Sequence, residues 1–343
     1  MKSIVYTRHG SPDVLHLVER ALPEPAAGEV RVRVVVSGVN PTDWKKRVGA
    51  GDEAVTEADS VPNQDGSGVV DAIGDGVEGL SVGDRVWIYL AAHERAGWGT
   101  AQEFTVLTAD RVTVLPAEVS FDVGASLGVP AITAHRALTV SEAWPARLSP
   151  GSLSGATVLV SGGAGAVGHA AIQLARWAGA TVITTVSSDE KAALTTAAGA
   201  HHFLLYTDAA VASTIRELAP DGVDIVVEVA AGVNADLDAA VLRTGGTVAI
   251  YGNDRGGALA LEFRPLLELN ARLQFVLLYT VDPAALRAAA TDITAALVDG
   301  ALGVGVGTGL PLHRFALEDT AAAHAAVEAG VVGKVLIDVT PEG

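Results

Sequence analysis

The stretch that decides the fold is Thr157-Val158-Leu159-Val160-Ser161-Gly162-Gly163-Ala164-Gly165-Ala166-Val167-Gly168. Its first five residues are mostly apolar or β-branched, as in a buried strand. Glycines at positions 163, 165 and 168 then follow with the spacing G-x-G-x-x-G. A helical pattern over residues 169–179 comes directly after the last glycine. This order predicts the first strand-turn-helix unit of a parallel sheet.

Downstream of the glycine turn, apolar strands alternate with helical patterns, which is typical of a parallel sheet with crossover helices. The predicted strands are residues 157–161, 181–186, 202–205, 224–229, 246–251 and 273–279. The predicted helices between them are residues 169–179, 189–198, 209–218 and 234–242. Six such strands make a complete doubly wound Rossmann fold.

The remainder of the chain has a different pattern. Residues 29–39 predict a strand, because Val alternates with Arg over residues 30–34. Gly-rich turns separate further predicted strands at residues 69–73, 84–90 and 101–107. The last segment predicts a helix, a Gly-rich loop, a helix and a strand, at residues 283–299, 303–309, 318–329 and 334–339. We therefore predict an α/β chain in which a β-rich domain (residues 1–127 and 280–343) is interrupted by a Rossmann domain (residues 128–279).

The glycine spacing has a chemical reason. The first glycine permits a tight turn, the second lets backbone N–H groups approach a pyrophosphate, and the third lets helix and strand pack closely. The pyrophosphate then lies at the positive end of the helix dipole. The alternative is a glycine-rich turn in another α/β protein, but the flanking strand and helix favour a dinucleotide site. Its predicted residues are Gly163, Gly165, Ala166, Val167 and Gly168.

The end of the next predicted strand indicates which dinucleotide is bound. NAD-binding folds usually carry an acidic residue there, whereas this chain has Ser187-Ser188-Asp189-Glu190-Lys191. Two hydroxyls and an ammonium suit the 2′-phosphate of NADPH. Asp189 and Glu190 can serve as cap and dipole partner of the following helix. We predict NADPH, bound by Ser187, Ser188 and Lys191; the alternative for Lys191 is an ordinary solvated helix residue.

Composition excludes several classes of function. The 343 residues include 23 Lys and Arg against 40 Asp and Glu, a net charge of −17, which argues against nucleic acid and anionic membranes as partners. No apolar run approaches the ~18 residues of a membrane span. The absence of cysteine excludes disulfides and thiolate zinc sites, and it fits a cytoplasmic location.

The first domain therefore predicts chemistry without a metal. Its loops at Asn40-Pro41-Thr42-Asp43 and Asn63-Gln64-Asp65 offer no thiolate and no imidazole, so no zinc site can be assembled there. Without a Lewis acid, a simple ketone or alcohol is a difficult partner for hydride transfer. A quinone or an α,β-unsaturated carbonyl already spreads the incoming charge, so we expect an electron-poor acceptor.

These motifs resemble a known family. The matching stretches are residues 37–41, 65–70, 83–86, 124–138, the fingerprint through Arg176, 185–188 with Lys191, 198–200 and 333–334. In this order they resemble the zinc-free, zeta-crystallin-like quinone oxidoreductase branch of the medium-chain dehydrogenase/reductase superfamily. The resemblance implies a GroES-like catalytic domain beside the Rossmann domain. Zinc members of the superfamily carry Cys at the position of Asn40 and a His-Glu pair at Gln64-Asp65.

The resemblance also implies site residues. Asn40 would lie beside the nicotinamide as a positioning residue, and Thr133 on its ribose side. Tyr206 would join Ser187 and Lys191 around the adenosine phosphate. Two loops would line the nicotinamide pocket: Tyr251, Gly252 and Asn253, and Leu277, Leu278 and Tyr279. Lys45 occupies a pocket position where the family often has Tyr, and residues 91–99 also depart from its pattern.

Two functions follow from these predictions. The first is NADPH-dependent reduction of a quinone or activated alkene, with a small-molecule acceptor as the partner. The second is a non-catalytic NADPH-binding protein, crystallin-like or RNA-interacting. We expect a homodimer or homotetramer, because strand 273–279 would be an apolar sheet edge. Isolated histidines are interpreted as structural or surface groups, and residues 303–309 as a loop.

Overall fold

The structure is a computed structural model that describes residues 1–49, 55–253 and 256–342. The strands are β1 Lys2–Arg8, β2 His16–Glu19, β3 Glu29–Val39, β4 Val55–Ser60, β5 Asp65–Ile73, β6 Arg85–Ile88, β7 Phe104–Thr108, β8 Val112–Val114, β9 Thr157–Ser161, β10 Thr181–Val186, β11 His202–Leu205, β12 Val223–Glu228, β13 Leu242–Ile250, β14 Arg272–Phe275, β15 Leu312–Ala316 and β16 Lys334–Asp338. The α-helices are α1 Pro41–Val48, α2 Ala91–Glu94, α3 Phe121–Gly124, α4 Gly128–Leu138, α5 Ala166–Trp177, α6 Asp189–Ala197, α7 Val211–Leu218, α8 Ala231–Val241, α9 Phe263–Glu268, α10 Pro283–Val298 and α11 Thr320–Glu328.

The chain divides into two compact units. The β-rich unit comprises Met1–Val129 and Pro311–Gly343, and the parallel-sheet unit comprises Pro130–Leu310. Among the described residues, no helix has the length and apolar character that crossing a lipid bilayer requires.

The parallel-sheet unit contains one six-stranded sheet in the order β11-β10-β9-β12-β13-β14. All of its strand pairs are parallel. Val158, Leu159 and Val160 of the central strand β9 are essentially fully buried, as expected where helices cover both faces of a sheet. The predicted doubly wound Rossmann fold is therefore confirmed, with all six predicted strands present in the predicted order.

The last strand of this sheet is shorter than predicted. β14 ends at Phe275, and a 3₁₀ turn at Leu278–Thr280 replaces the rest of the predicted strand 273–279. The apolar composition of residues 275–278 is typical of a strand. However, the last residue pair between β13 and β14 is Ile250 with Phe275. Beyond that pair the ladder has no partner strand to continue on.

The β-rich unit is built mainly on antiparallel pairing, and among the strand pairs of its described residues only β15 and β16 run parallel. Its larger sheet has the order β15-β16-β3-β5-β6-β8, with β7 also paired to β3, and a second sheet has the order β2-β1-β4. β3 is the longest strand of the unit and pairs with β5, β7 and β16. Its Val30, Val32 and Val34 are completely buried. The Val positions of the alternation are therefore core positions, although Arg31 is buried as well.

The predicted return to the first domain at residue 280 is too early, since the β-rich unit resumes at Pro311. Helix α10 packs with the parallel-sheet unit through Asp292, which bonds His135 Nε2 and Leu148 N, each at 2.8 Å. Arg147 also donates to this carboxylate. Burial alone would raise the pKa of Asp292, but these bonds hold it well below the usual range. The bonds of this buried carboxylate are not visible in the composition of the segment.

The Gly-rich loop 303–309 also belongs to the parallel-sheet unit. His169 Nε2, near the start of α5, bonds Thr308 O at 2.7 Å. Gln173, one turn further along, exchanges hydrogen bonds with Gly303 N and O. The loop is therefore fastened to the helix that follows the glycine fingerprint.

Candidate functional site

The fingerprint turn is shaped by close packing at two glycines. A Cβ on Gly163 would lie 2.1 Å from Thr184 Oγ1, and a Cβ on Gly168 would lie 2.5 Å from Gly162 O. Gly165 differs, because the nearest atom to a Cβ there is 3.4 Å away. The protein itself leaves room at Gly165, which is the position where the motif requires close approach of a ligand.

The N-terminus of α5 is open to an anion. Gly165 is its N-cap residue and no side chain caps it. The N–H groups of the first helical residues, Ala166, Val167 and Gly168, have no acceptor within the helix. Together with the helix dipole they form the kind of site that binds a pyrophosphate. The residues present therefore fit a dinucleotide.

The corner after β10 carries a lysine held by a serine. Lys191 Nζ donates to Ser187 Oγ at 2.8 Å. Tyr206 N donates to Val186 O at 3.1 Å, so Tyr206 lies beside the residue that precedes Ser187. No carboxylate occupies the end of the strand itself. A cation and a hydroxyl at this position suit a phosphate group better than a ribose diol.

Ser188, and not Asp189, caps the helix that follows β10. It is the N-cap residue of α6, and its Oγ accepts from Lys191 N at 3.4 Å. The prediction that Asp189 caps this helix is therefore wrong, because the helix starts at Asp189 itself. Glu190 lies in the first turn, where a hydrogen bond from Ser188 lowers its pKa.

The two predicted pocket loops are neighbours. Ile250 O accepts from Val276 N at 2.8 Å, so the segments after β13 and β14 leave the sheet side by side. Asn253 is tied down, since its Oδ1 accepts from Gly232 N and its Nδ2 donates to Gly257 O. Leu278 is buried and Leu277 is 58 % exposed. The other members of these loops are Tyr251, Gly252 and Tyr279. Thr133, the remaining predicted residue of this unit, is buried in α4.

In the β-rich unit, Asn40 is part of a buried polar cluster. Its Oδ1 accepts from Lys334 Nζ at 2.7 Å, and its Nδ2 donates to Asp65 Oδ2 at 2.6 Å. Lys334 Nζ and Asp65 Oδ2 are 3.5 Å apart. All three side chains are at most 2 % exposed. Sequence reasoning assigned no role to Asp65 or Lys334, although both lie in stretches that matched the family.

Asp43 completes this cluster. Its Oδ2 accepts from Asn40 N at 2.7 Å and its Oδ1 accepts from Gln64 N at 3.1 Å. Burial, with the neighbouring Asp65 carboxylate, raises the pKa of Asp43 to about 7. Burial also raises the pKa of Asp65 and lowers that of Lys334. Two carboxyl groups thus share one buried ammonium.

Lys45 lies outside the cluster. It is an exposed residue of α1, with its Nζ 5.7 Å from the ring centroid of Trp44. In the segment 91–99, Trp98 is buried and the Arg95 guanidinium lies 4.1 Å from its ring centroid. Across the described ranges, no group of three or more His, Cys, Asp or Glu residues is arranged to hold a metal ion.

Known proteins share this architecture. The family model "Alcohol dehydrogenase GroES-like domain" matches residues 26–117, and the model "Zinc-binding dehydrogenase" matches residues 166–295. A quinone oxidoreductase of Rattus norvegicus is 30% identical over 340 residues, which cover 98% of this chain and 97% of that protein. A 2-methylene-furan-3-one reductase of Solanum lycopersicum is 33% identical over 258 residues, covering 73% of this chain and 62% of that protein.

A solved structure agrees with these relatives. A mycobacterial protein crystallised with NADPH has a TM-score of 0.80 and 31% identity, and the match covers 98% of this chain and 99% of that one. The similarity extends over both units. The chain belongs to the zinc-free quinone oxidoreductase branch of the medium-chain dehydrogenase/reductase superfamily.

Proposed function

We propose that this chain uses NADPH to reduce quinones or activated alkenes, such as α,β-unsaturated carbonyls, without a metal ion. The names of its relatives support both acceptor classes, and a related structure was solved with NADPH. The observation that carries the proposal is the corner where Lys191 bonds Ser187, in the same unit as the uncapped N-terminus of α5.

The residues of the parallel-sheet unit account for cofactor binding. The N–H groups at the start of α5 would hold the pyrophosphate, and Ser187 and Lys191 would hold the 2′-phosphate, with Ser188 and Tyr206 beside them. When bound, NADPH supplies the hydride. The loops at 251–253 and 277–279, with Thr133, would orient the ring.

The β-rich unit accounts for the type of acceptor. At the positions where zinc members carry ligands, Asn40 and Asp65 here bond each other and Lys334. These groups can position an acceptor and bind its oxygen, but they give it no Lewis acid. A hydride acceptor at such a site must already be electron-poor.

The direct test is the loss of NADPH absorbance with a panel of quinones and enones, with the products identified. We expect turnover of at least one class and none of plain ethanol with NADP⁺. Tight NADPH binding with no turnover on any acceptor would contradict the proposal. That result would favour a non-catalytic NADPH-binding protein, and a gel shift with RNA at low and physiological salt would test its RNA-binding form.

We also propose that the chain forms a homodimer or homotetramer through the edge of the parallel sheet. β14 is the edge strand, and Phe263, Leu267 and Phe275 near it are 74%, 56% and 64% exposed. An uncovered apolar sheet edge favours pairing. Light scattering should show a dimer or larger species for the wild type and a monomer for Phe275→Lys. A wild-type monomer would refute this proposal.

We place the protein in the cytoplasm, because a chain without cysteine needs no oxidising compartment. Fractionation of the source cells should find it with cytoplasmic markers. Recovery with an exported or membrane fraction would contradict this assignment.

A further inference from the structure

We propose that Lys334 and Asp65 are positioning residues for the reaction. They hold the Asn40 side-chain amide in one orientation, so that its second N–H is donated to the acceptor oxygen that becomes negative on reduction. This inference rests on the proposed function and adds to it a role for two residues that do not themselves touch the acceptor.

The three side chains form a closed triangle. Lys334 Nζ lies 2.7 Å from Asn40 Oδ1, Asn40 Nδ2 lies 2.6 Å from Asp65 Oδ2, and the two charged groups are 3.5 Å apart. An ammonium can only donate and a carboxylate can only accept. A flipped amide would place its N–H groups against Lys334 and its oxygen against Asp65. The orientation of Asn40 is therefore fixed by its neighbours.

Both charged residues are themselves anchored by the fold. Asp65 Oδ1 accepts from Val129 N, at the start of α4, at 2.8 Å. A Cβ on Gly128 would lie 2.1 Å from that oxygen, so only glycine there admits the carboxylate. Lys334 opens β16, whose Val335 pairs with Val39 immediately before Asn40. The backbone therefore positions all three side chains within contact of one another.

The triangle leaves one hydrogen-bond donor of Asn40 unused. The amide nitrogen carries two N–H groups and Asp65 takes one of them. Within the ranges that the structure describes, no group accepts the second. A buried donor without a partner is unfavourable, and an oxygen atom of a bound ligand would satisfy it.

The charges of the triangle favour a hydrogen bond from the second N–H of Asn40 to an oxygen that is becoming negative. The Lys334 ammonium on Oδ1 withdraws electron density from the amide and strengthens its N–H as a donor. When hydride reaches the β-carbon of an enone, the C=C electrons move and the carbonyl oxygen becomes an enolate oxygen. A proton from solvent later completes the saturated product. The Asn40 bond strengthens as that negative charge forms, which is the condition for catalysis.

The test is the double variant Lys334→Met, Asp65→Asn. It removes both charges with side chains of similar size, so the Asp65 carboxylate is not left buried without the ammonium, and Asp43, whose pKa is raised to about 7, can become neutral by taking up a proton. We expect kcat to fall about tenfold or more, because a misplaced donor is costly. KM for the acceptor and the Kd for NADPH should stay within about threefold of wild type.

A cycle with Asn40→Ala separates positioning from general damage. If the pair acts through Asn40, adding the double variant to Asn40→Ala should lower kcat no further. The matched control is Glu328→Gln, which removes the partner of the fully buried Arg47, 2.6 Å away in the same unit. It should lower thermal stability and leave kcat unchanged. A folded double variant with kcat within twofold of wild type, or an additive loss in the cycle, would overturn the proposal.

A binding measurement keeps this inference separate from the proposed function. The NADP⁺-loaded protein is titrated with 4-nitrophenolate, which carries an oxygen anion and receives no hydride, because the cofactor is in its oxidised form. We expect the double variant to bind it at least about tenfold more weakly than wild type. This loss together with no turnover by wild type would refute the proposed function and leave the positioning role standing. Equal affinities would refute the positioning role even if wild type reduces enones.

Discussion

The two candidate binding regions, the fingerprint turn and the Asn40 cluster, use different chemical groups. The fingerprint corner uses backbone N–H groups and a turn shaped by glycines, all from neighbouring positions in the sequence. The Asn40 cluster uses side chains that lie up to 294 residues apart. A region of the first kind depends on small residues, whereas one of the second kind depends on the balance of its buried charges. The predictions below test this difference.

The largest effect is expected from upsetting that balance. Lys334→Met leaves Asp43 and Asp65 buried without their ammonium. Removing one partner of a buried ion pair costs about 3–5 kcal/mol, so the free energy of unfolding in urea should fall by that amount. Adding Asp65→Asn should restore most of it. Lys2→Met, on an exposed lysine, should change stability little, and an equally small loss for Lys334→Met would show that the cluster is not charge-balanced.

Because of the same cluster, the free energy of unfolding should decrease as the pH rises. The pKa of Asp43 is about 7 when folded and near 3.8 otherwise. A raised pKa means that the folded state binds the proton more tightly than the unfolded state does. The contribution of Asp43 to the free energy of unfolding is therefore complete below pH 3.8 and is lost as the pH rises through 7. The difference is worth about 4 kcal/mol. Urea unfolding from pH 4 to 8 should show this loss in wild type and a smaller one in Asp43→Asn; parallel curves would contradict it.

The parallel-sheet unit should respond to pH in the opposite direction. Burial lowers the pKa of His169 to about 4, although its bond to Thr308 O partly opposes this. The folded state then binds the proton less tightly, so stability is complete above pH 6.5 and falls by about 3 kcal/mol between pH 6.5 and 4. His169→Gln should remove that acid loss, whereas the exposed His202→Gln should not. Equal acid sensitivity of both variants would count against this account.

A smaller effect is expected at the corner after β10, where Lys191 bonds Ser187, and on binding alone. Lys191→Ala removes a charge-assisted bond to the 2′-phosphate, worth about 1.5–3 kcal/mol, so NADPH should bind about tenfold to a hundredfold more weakly. Fluorescence titration should find NADH affinity and thermal stability nearly unchanged. Equal weakening of both cofactors would mean that Lys191 does not hold the phosphate.

The same contrast explains how much of the molecule could be predicted. The Rossmann fold and the fingerprint follow from local order, because strand, glycines and helix are contiguous and each has a period or a spacing. The boundary at residue 311 could not be predicted, since it depends on Asp292 of α10 reaching His135 and Arg147. The end of β14 depends on where its partner strand stops.

The candidate site shows the same limit. Asn40 could be proposed from its motif, but its hydrogen bonds could not. Lys334 opens an apolar strand, a position that in sequence resembles a solvated strand end, and only the pairing of β16 with β3 buries it. A buried lysine can be predicted only when the positions of the carboxylates that neutralise it in the folded protein are known.

The order of the chain adds a constraint on how the protein is made. The carboxylates of Asp43 and Asp65 leave the ribosome before the whole segment Pro130–Leu310, and the ammonium that neutralises them leaves after it. Domains generally fold as they emerge, so the Rossmann sheet can be complete while the earlier segment still lacks its counter-charge. The first part to be synthesised is therefore the last to become native, and a chaperone that guards the nascent chain would have to hold that part longest.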